Sequence, residues 1–335
     1  MVFVTGGTGF LGAHLLTELA KNPEQVVALK RPASSTLNTE KLFLYKFGEE
    51  GKTLFKKINW VVGDIMDPWS LSETMQGANE VYHCAAEVDL RDDNPESIIK
   101  TAEAGTENLV NAALALGIEK FCYVSSVAAL GNPPAGGDIS EENFEEFSFE
   151  NSLYAIGKHL AEQQVWRAHA EGLKVVVISP SIILGPWSNL RNGSISMFTF
   201  IDKISKYYTG GIMGYVDVAD VVTIMLKLMA NGPYNERFIA NSENLSFHDF
   251  FSAIAKDLNK PLPGTKLSNF TLKIFQKLNN VFSKQKISST MVEHATDIHT
   301  FSNKKVKETI HYTFIPVRET IAATAKFYLN ERKRK

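Results

Sequence analysis

From Met1 to about Val177, short β-branched runs alternate with longer stretches of helical hydrophobic spacing. The strand-like runs are "MVFVT", "QVVALK", "INWVVG", "EVYHCA", "KFCYVSS" and "LKVVVIS", and the segments between them are long enough for helices. That rhythm predicts βαβ units building a parallel sheet, an α/β, doubly wound fold. Two helices are well marked: Pro95 to Leu116, stopped by Gly117, and Ser152 to Ala170, stopped by Gly172. Glycine is a common C-terminal cap.

Beyond Pro180 the rhythm loosens. "GPWSNLRNGSIS" reads as a loop, "GYVDVADVVTIMLKLMA" as a strand and then a helix, and the C-terminal part as mostly helical with short strands near "RFIA". The expected organisation is a main domain of residues 1–179, to which 214–230 return, and a smaller, mostly helical substrate lobe of 180–213 and 231–335.

Composition narrows the function. The chain has 335 residues, 44% of them hydrophobic, enough for a sizeable core, and 35 Lys plus Arg against 37 Asp plus Glu leave a formal charge of -2. There is thus no electrostatic case for nucleic acid or an anionic membrane as partner. The basic end "ERKRK" reads as a frayed tail. "VFV" follows Met1 with no basic run, and segments such as "VVTIMLKLMA" are short and carry Lys227, so neither a signal peptide nor a membrane span is expected. A cytoplasmic location follows. Cys84 and Cys122 lack metal-ligand or C-x-x-C spacing and read as buried reduced thiols.

"VTGGTGFLG", Val4 to Gly12, puts glycines between the first strand and the helix from Phe10 onward, where a pyrophosphate could lie against backbone N–H groups. Two registers are open: Gly7, Gly9, Gly12 as G-x-G-x-x-G, or Gly6, Gly9, Gly12 as T-G-x-x-G-x-x-G. After the second strand a carboxylate would favour NAD, but the sequence has Lys30 and Arg31 with Ser34 and Ser35 nearby, and no acid between Glu24 and Glu40. This points to NADP(H), with NAD the runner-up, because a guanidinium matches a phosphate with paired donors. Two basic residues in a solvated loop are the plain alternative. Asp64, in "VVGDIMDP", suits either the adenine amino group or the N-cap of the next helix.

"YAIGK" sets Tyr154 and Lys158 one helical turn apart on one face, and a nearby ammonium lowers a phenol's pKa. "YVSSVAALG" puts Ser125 and Ser126 at the end of the fifth strand, where ligands sit in open α/β sheets. "TGGTGFLG", "GDIMD", "VYHCAAEVD", "GTENLVNAA", "YVSSVAALG", "YAIGK", "SPSIILGP" and "GYVDVADV" occur in one order. In these the sequence resembles the extended short-chain dehydrogenase/reductase family, the NAD(P)-dependent epimerase/dehydratase group, over nearly its whole length.

The resemblance implies a Rossmann fold and selects Gly6, Gly9 and Gly12 as nucleotide glycines, with Gly7 filling a turn position. It implies Tyr154 as general acid/base, Lys158 as its pKa-lowering partner and ribose anchor, and Ser126, rather than Ser125, as the carbonyl-orienting hydroxyl. Ala85 and Ala86 would let the cofactor approach the fourth strand, and Pro180 to Ile183 would line the nicotinamide. Thr5, Phe10, Leu11 and Ile65 join the cofactor contacts. Val127, Ala128 and Ala129 replace the Thr-Asp-Glu run of sugar-nucleotide dehydratases, so dehydration is not expected. The closest likeness is to dihydroflavonol 4-reductase-like and 3β-hydroxysteroid dehydrogenase-like members. The expectation is an NADP(H)-dependent oxidoreductase acting on a small-molecule ketone, aldehyde or matching alcohol. The alternatives are a nucleotide-sugar epimerase holding NAD tightly and a non-catalytic NADP-sensing protein. Family habit allows a monomer or a homodimer through the Pro95–Leu116 and Ser152–Ala170 helices. Ala102 stands where the family often has Asn, so a helix-to-strand hydrogen bond is expected to be missing.

Further candidates carry plain readings too. Glu87, Asp89 and Arg91 could face substrate or be solvated, and Trp187, Arg191 and Ser194 could contact substrate or lie in an ordinary loop. His83 and His159 read as packing or surface residues, Asp217 and Asp220 as turn and cap residues. "NFTLKIFQKLNNVF" reads as a helix with one face in the core rather than on a membrane.

Overall fold

The computed structural model describes residues 1–335 other than 87–94, 132–136, 144–151, 191–192, 269, 273–294 and 334–335. Strand and helix alternate first: β1 (Val2–Thr5), α1 (Phe10–Leu19), β2 (Val26–Lys30), α2 (Leu37–Phe47), α3 (Glu50–Lys56), β3 (Ile58–Val62), α4 (Pro68–Thr74), β4 (Glu80–His83), α5 (Pro95–Ala115), β5 (Lys120–Val124), α6 (Leu153–Ala170) and β6 (Lys174–Pro180). Then follow β7 (Ile182–Leu184), α7 (Ile195–Lys203), β8 (Tyr207–Tyr208), β9 (Ile212–Asp217), α8 (Val218–Asn231), β10 (Glu236–Ala240), β11 (Glu243–Ser246), α9 (Phe247–Asp257), β12 (Thr265–Lys266), α10 (Lys304–Ile310) and α11 (Val317–Lys333).

Seven strands, in the order β10-β6-β5-β4-β1-β2-β3, form one parallel sheet. Both faces are buried, so its strands are apolar almost throughout, as a sheet covered by helices on each side requires. Val2 and Val4, Cys122 and Val124, and Val176 and Ile178 pack into the core with α1 and α8. Phe3, Phe121 and Tyr123, and Val175 and Val177 point the opposite way, into the core with α5 and α6. This is the period-2 alternation of extended chain. The strand order reverses between β1 and β4, and the site sits at the carboxyl ends of those two strands.

Both expected helix stops hold: Gly117 and Gly172 take positive φ, 68° and 108°. Ser152 caps α6 by accepting from the Ala155 amide at 3.2 Å. The expected domain bounds need two corrections. Residues 236–240, expected in the lobe, are the seventh strand of the main sheet, in register with β6 from Glu236 opposite Val176 to Ala240 opposite Pro180. Arg237 to Ala240 are buried, but a strand of five residues that begins "ER" carries a weak hydrophobic signal. Residues 212–217 join the small β11-β9-β7 sheet of the lobe, with Tyr215 in the lobe core, while Val216 packs with α8 and with Val306 of α10 into the main core. The lobe core packs Leu184, Trp187, Phe198, Tyr215, Phe250 and Ile321 together. Most of "NFTLKIFQKLNNVF" lies outside the described residues. Among the described residues no helix is long and apolar enough to cross a membrane.

Candidate active site

The glycine turn is packed so closely that its register can be read from contacts. Gly6 has φ +74°, and a Cβ there would lie 2.5 Å from the Ala85 amide nitrogen and the Cys84 carbonyl carbon. On Gly12 a Cβ would lie 2.3 Å from the Gly6 carbonyl oxygen, and on Gly9 3.2 Å from the same oxygen. Gly6, Gly9 and Gly12 therefore form one contact set, closed by the Gly9 amide donating to Gly6 O at 2.9 Å. Gly7 is different: a Cβ there would meet side chains and no backbone, the tip of Leu16 at 2.7 Å and the Trp60 ring at 3.4 Å. Gly9 is the N-cap of α1, and no acidic residue stands in the helix's first turn. The backbone cradle and the positive helix end suit a pyrophosphate.

Thr5 supports this turn from beneath. Its buried hydroxyl accepts from the Ala85 amide at 3.3 Å and pairs with His83 Nδ1 at 2.7 Å. His83 Nε2 reaches Thr106 Oγ1 at 3.1 Å, and Thr106 donates to the Ala102 carbonyl at 2.7 Å. Because the Thr106 proton is used on Ala102, His83 must donate from Nε2, and Thr5 then donates to Nδ1. The Thr5 hydroxyl is thereby committed inside the protein. The helix-to-strand link expected to be missing at Ala102 is made instead by His83 and Thr106, which sequence reading missed.

Burial holds His83 neutral, its pKa brought down to about 3, with the nearby Lys158 charge adding to the effect. His14 on α1 is likewise lowered to about 3 by burial, and donates to the Pro186 carbonyl through Nε2 at 3.0 Å. The unfolded chain takes up these protons near 6.5, the native protein only near 3. Across that window the unfolded state binds more protons, so stability falls as the pH drops. At pH 5 each histidine is expected to remove about 2 kcal/mol. Asp220, raised by burial to about 6, works in the opposite direction and by less. The expected result is a lower thermal midpoint at pH 5 than at pH 7, with both imidazole resonances still neutral at pH 5; titration of either ring between those values would contradict it.

At the far end of the cofactor cleft, Lys30 closes β2 and Arg31 is exposed beside it. The Arg31 carbonyl accepts from the Ser34 amide at 2.9 Å, shaping a tight turn. Asp64 is not the N-cap of α4. Asp67 is, accepting from the Trp69 amide at 3.1 Å, while Asp64 accepts from Met66 N at 3.0 Å in a turn just ahead. The Ile65 carbonyl accepts from Asn108 Nδ2 at 3.0 Å, and its side chain faces Gly105. Ala85 and Ala86 follow β4 beside Gly6, and Ala86 is exposed. Phe10 packs on His14 and Trp187, with ring centroids 5.2 and 5.9 Å away, and Leu11 leans on the main core. Pro180 ends β6, and Ile183 on β7 is half-buried against the same core.

The two serines after β5 are separated by what holds them. Ser125 donates to the buried Glu162 Oε2 at 2.6 Å. Ser126, 9% exposed, accepts from the Ala128 amide at 3.1 Å at the start of a short 3₁₀ turn, Val127–Ala129, so its own proton stays free to donate. Burial raises the phenol of Tyr154, in the first turn of α6, above its ordinary value, and the Ser126 hydroxyl draws it back. Lys158, 5% exposed, donates to the Val124 carbonyl at 2.6 Å and lies 5.1 Å from the Tyr123 ring centre. Burial lowers it to about 8, opposed by Cys84 and Glu162. Cys84 joins the two halves of the site: its carbonyl carbon abuts Gly6, and its thiol, pushed up to about 12 by burial, is drawn down by Lys158.

Other candidates divide. Trp187 is a lobe-core residue, so its indole is not open to substrate. Ser194 is half-buried at the N-cap of α7 with no side-chain cap bond. Asp217 caps α8, accepting from the Ala219 amide at 2.7 Å, and Asp220 accepts from Tyr312 Oη at 2.8 Å. His159 pairs with Gln163 at 2.8 Å. Glu87, Asp89, Arg91 and Arg191 lie outside the described residues.

A doubly wound sheet with a glycine turn at its switch point, and Ser, Tyr and Lys at the adjoining strand end, is the framework of a nucleotide-dependent oxidoreductase. The chain belongs to the NAD dependent epimerase/dehydratase family, which residues 2–240 match, within the extended short-chain dehydrogenases/reductases, and it is an NAD(P)-dependent enzyme. It is 31% identical over 267 residues to a candidate dihydroflavonol 4-reductase of Synechocystis sp., covering 78% of this chain and 73% of that one. It is 26% identical over 336 residues to cinnamoyl-CoA reductase 1 of Petunia hybrida, covering 97% and 91%. Among solved structures it is similar to gox2253, with TM-score 0.80, 26% identity and 98% of each chain covered. The Gre2–NADPH complex from Candida albicans, with TM-score 0.76, 21% identity and 98% of each chain covered, shares the fold.

Proposed function

We propose that this enzyme is an NADP(H)-dependent oxidoreductase that interconverts a ketone or aldehyde and its alcohol. The observation that carries the reading is the placement of Ser126, just after β5, at the carboxyl end of the sheet, its hydroxyl accepting from the Ala128 amide with its own proton available, and of Tyr154 in the first turn of α6. In the reducing direction Ser126 donates to the substrate oxygen, and Tyr154, held protonated at neutral pH, delivers its proton to that oxygen as the carbonyl carbon gains hydride. Lys158, anchored on Val124 O, keeps positive charge beneath the tyrosine as it becomes phenolate. The bound nicotinamide cofactor supplies or accepts the hydride. Tyr154 regains a proton from water at the end of the cycle. The buried, apolar Val127 and Ala129 offer no carboxyl for the acid and base steps of dehydration.

NADP rather than NAD is favoured by Lys30 and Arg31 at the end of β2, neither of which has a carboxylate partner among the described residues. The relative in the NADPH complex fits that choice. Titration of the purified protein with NADPH and NADH, read by nicotinamide fluorescence, tests it. Preferential NADPH binding is expected, and the Lys30→Ala/Arg31→Ala protein should lose about 10- to 100-fold in NADPH affinity with little change for NADH, since charge-assisted hydrogen bonds are worth about 1.5–3 kcal/mol each. Tightly retained NAD with no preference for the phosphate would overturn this reading in favour of an epimerase.

A further inference from the structure

A buried ion pair lies one helical turn beyond Lys158. Tyr154, Lys158 and Glu162 follow one another at four-residue spacing on α6 and so share a face. Glu162 is 2% exposed, and every bond its carboxylate makes leads into the site or clamps it. Oε2 accepts from Ser125, the residue between Val124 and Ser126, at 2.6 Å. Oε1 accepts from Trp166 Nε1 at 2.9 Å and from Arg237 Nε at 2.7 Å, and Arg237 Nη2 reaches the same oxygen. Arg237, on β10, also donates to the Glu141 carbonyl at 3.3 Å. Desolvating two charges is costly, and a well-packed apolar pair would hold β10 near α6 equally well. The pair is placed where its charge and its hydrogen bond act on the residues at the end of β5.

We propose that Glu162 is a positioning residue: clamped by Arg237, its carboxylate fixes Ser125, and with it the chain that presents Ser126 and the Val124 carbonyl, and it stands as counter-charge to Lys158. The inference rests on the roles proposed above for Ser126, Tyr154 and Lys158. The groups facing Lys158 are Cys84 and the neutral His83 at the end of β4, the Tyr123 ring on β5, and Glu162 on α6, with Arg237 of β10 acting behind Glu162. Of these, Cys84 and Glu162 oppose the burial that lowers Lys158 to about 8. With its thiol pushed up to about 12, Cys84 stays neutral at working pH, which leaves Glu162 as the charge that matters.

The test needs neither substrate nor cofactor. In protein labelled with ¹³C and ¹⁵N, the lysine Nζ resonances are followed against pH, the Lys158 signal being assigned by its loss in Lys158→Met. The midpoint is expected near 8 in the unaltered protein. It is expected about one pH unit lower in Glu162→Gln, a tenfold loss of proton affinity, and lower by a smaller amount in Glu162→Gln/Arg237→Met, which has lost a cation as well as the anion. The double variant leaves no unpaired buried guanidinium, so it should fold where the single variant falters. An unchanged Lys158 midpoint in the folded double variant overturns the proposal, and so does failure of both variants to fold, which would mark Glu162 as a structural residue only. The reductase reading fails separately, if Tyr154→Phe keeps its turnover.

Discussion

Tyr154→Phe is expected to lower turnover by about 10²- to 10⁴-fold, the usual contribution of a positioned general acid, while NADPH affinity changes only a few-fold. The substitution removes one oxygen from a half-buried ring and leaves the ring's packing in place. What it takes away is the phenol whose proton suits a developing alkoxide. Burial keeps that phenol above its ordinary value, so across the neutral range it carries the proton that reduction consumes. Oxidation of the alcohol needs the deprotonated form and should therefore accelerate as the pH rises. Turnover with carbonyl substrates, measured beside cofactor fluorescence titration, checks the prediction. Unchanged turnover would remove Tyr154 from the chemistry, and loss of cofactor binding as well would make its role structural.

Gly12→Val should abolish cofactor binding, with a loss of affinity of about 100-fold or more and a stability loss of about 3–5 kcal/mol. The cause is local: the first side-chain carbon at position 12 would stand 2.3 Å from the Gly6 carbonyl oxygen, a backbone atom held by the Gly9 amide and unable to step aside. Relief would require α1 to move away from the turn, which would carry the amides of its first turn out of reach of a pyrophosphate. Gly7→Ala is the control. Its added carbon meets a Leu16 methyl that can rotate, so a cost of about 1 kcal/mol and near-normal binding are expected. Thermal melting and NADPH titration of the two proteins distinguish the registers, and equal damage at both positions would contradict this account.

Much of the framework was legible along the chain. Five of the main-sheet strands announce themselves because both their faces are covered and they are apolar almost throughout, the edge strand β3 shows as a β-branched run although Val62 is exposed, and α5 and α6 end at glycines that take the left-handed conformation their stops require. β10 reads as part of the lobe because a strand of five residues with a charged start has little pattern to show. In the site, Ser126, Tyr154 and Lys158 were found by local spacing and by resemblance, because strand ends and helical turns place them within a few residues of a recognisable motif.

The pairings across elements were not legible, since they join residues far apart in the chain. Thr5, His83 and Thr106 become one relay only when β1, β4 and α5 are packed, and Glu162 acquires its guanidinium 75 positions later from a strand that sequence reading had placed elsewhere. By itself the sequence determined the doubly wound class and the glycine turn, because each is written in short-range periodicity and spacing, and by resemblance it singled out Ser126, Tyr154 and Lys158 as candidates. Only the tertiary structure decided that Ser125 donates to Glu162 while Ser126 accepts from Ala128, and that Lys158 is anchored on Val124 O. It did so because burial leaves each polar group the partners that packing brings within hydrogen-bond distance, and a buried group without one is costly.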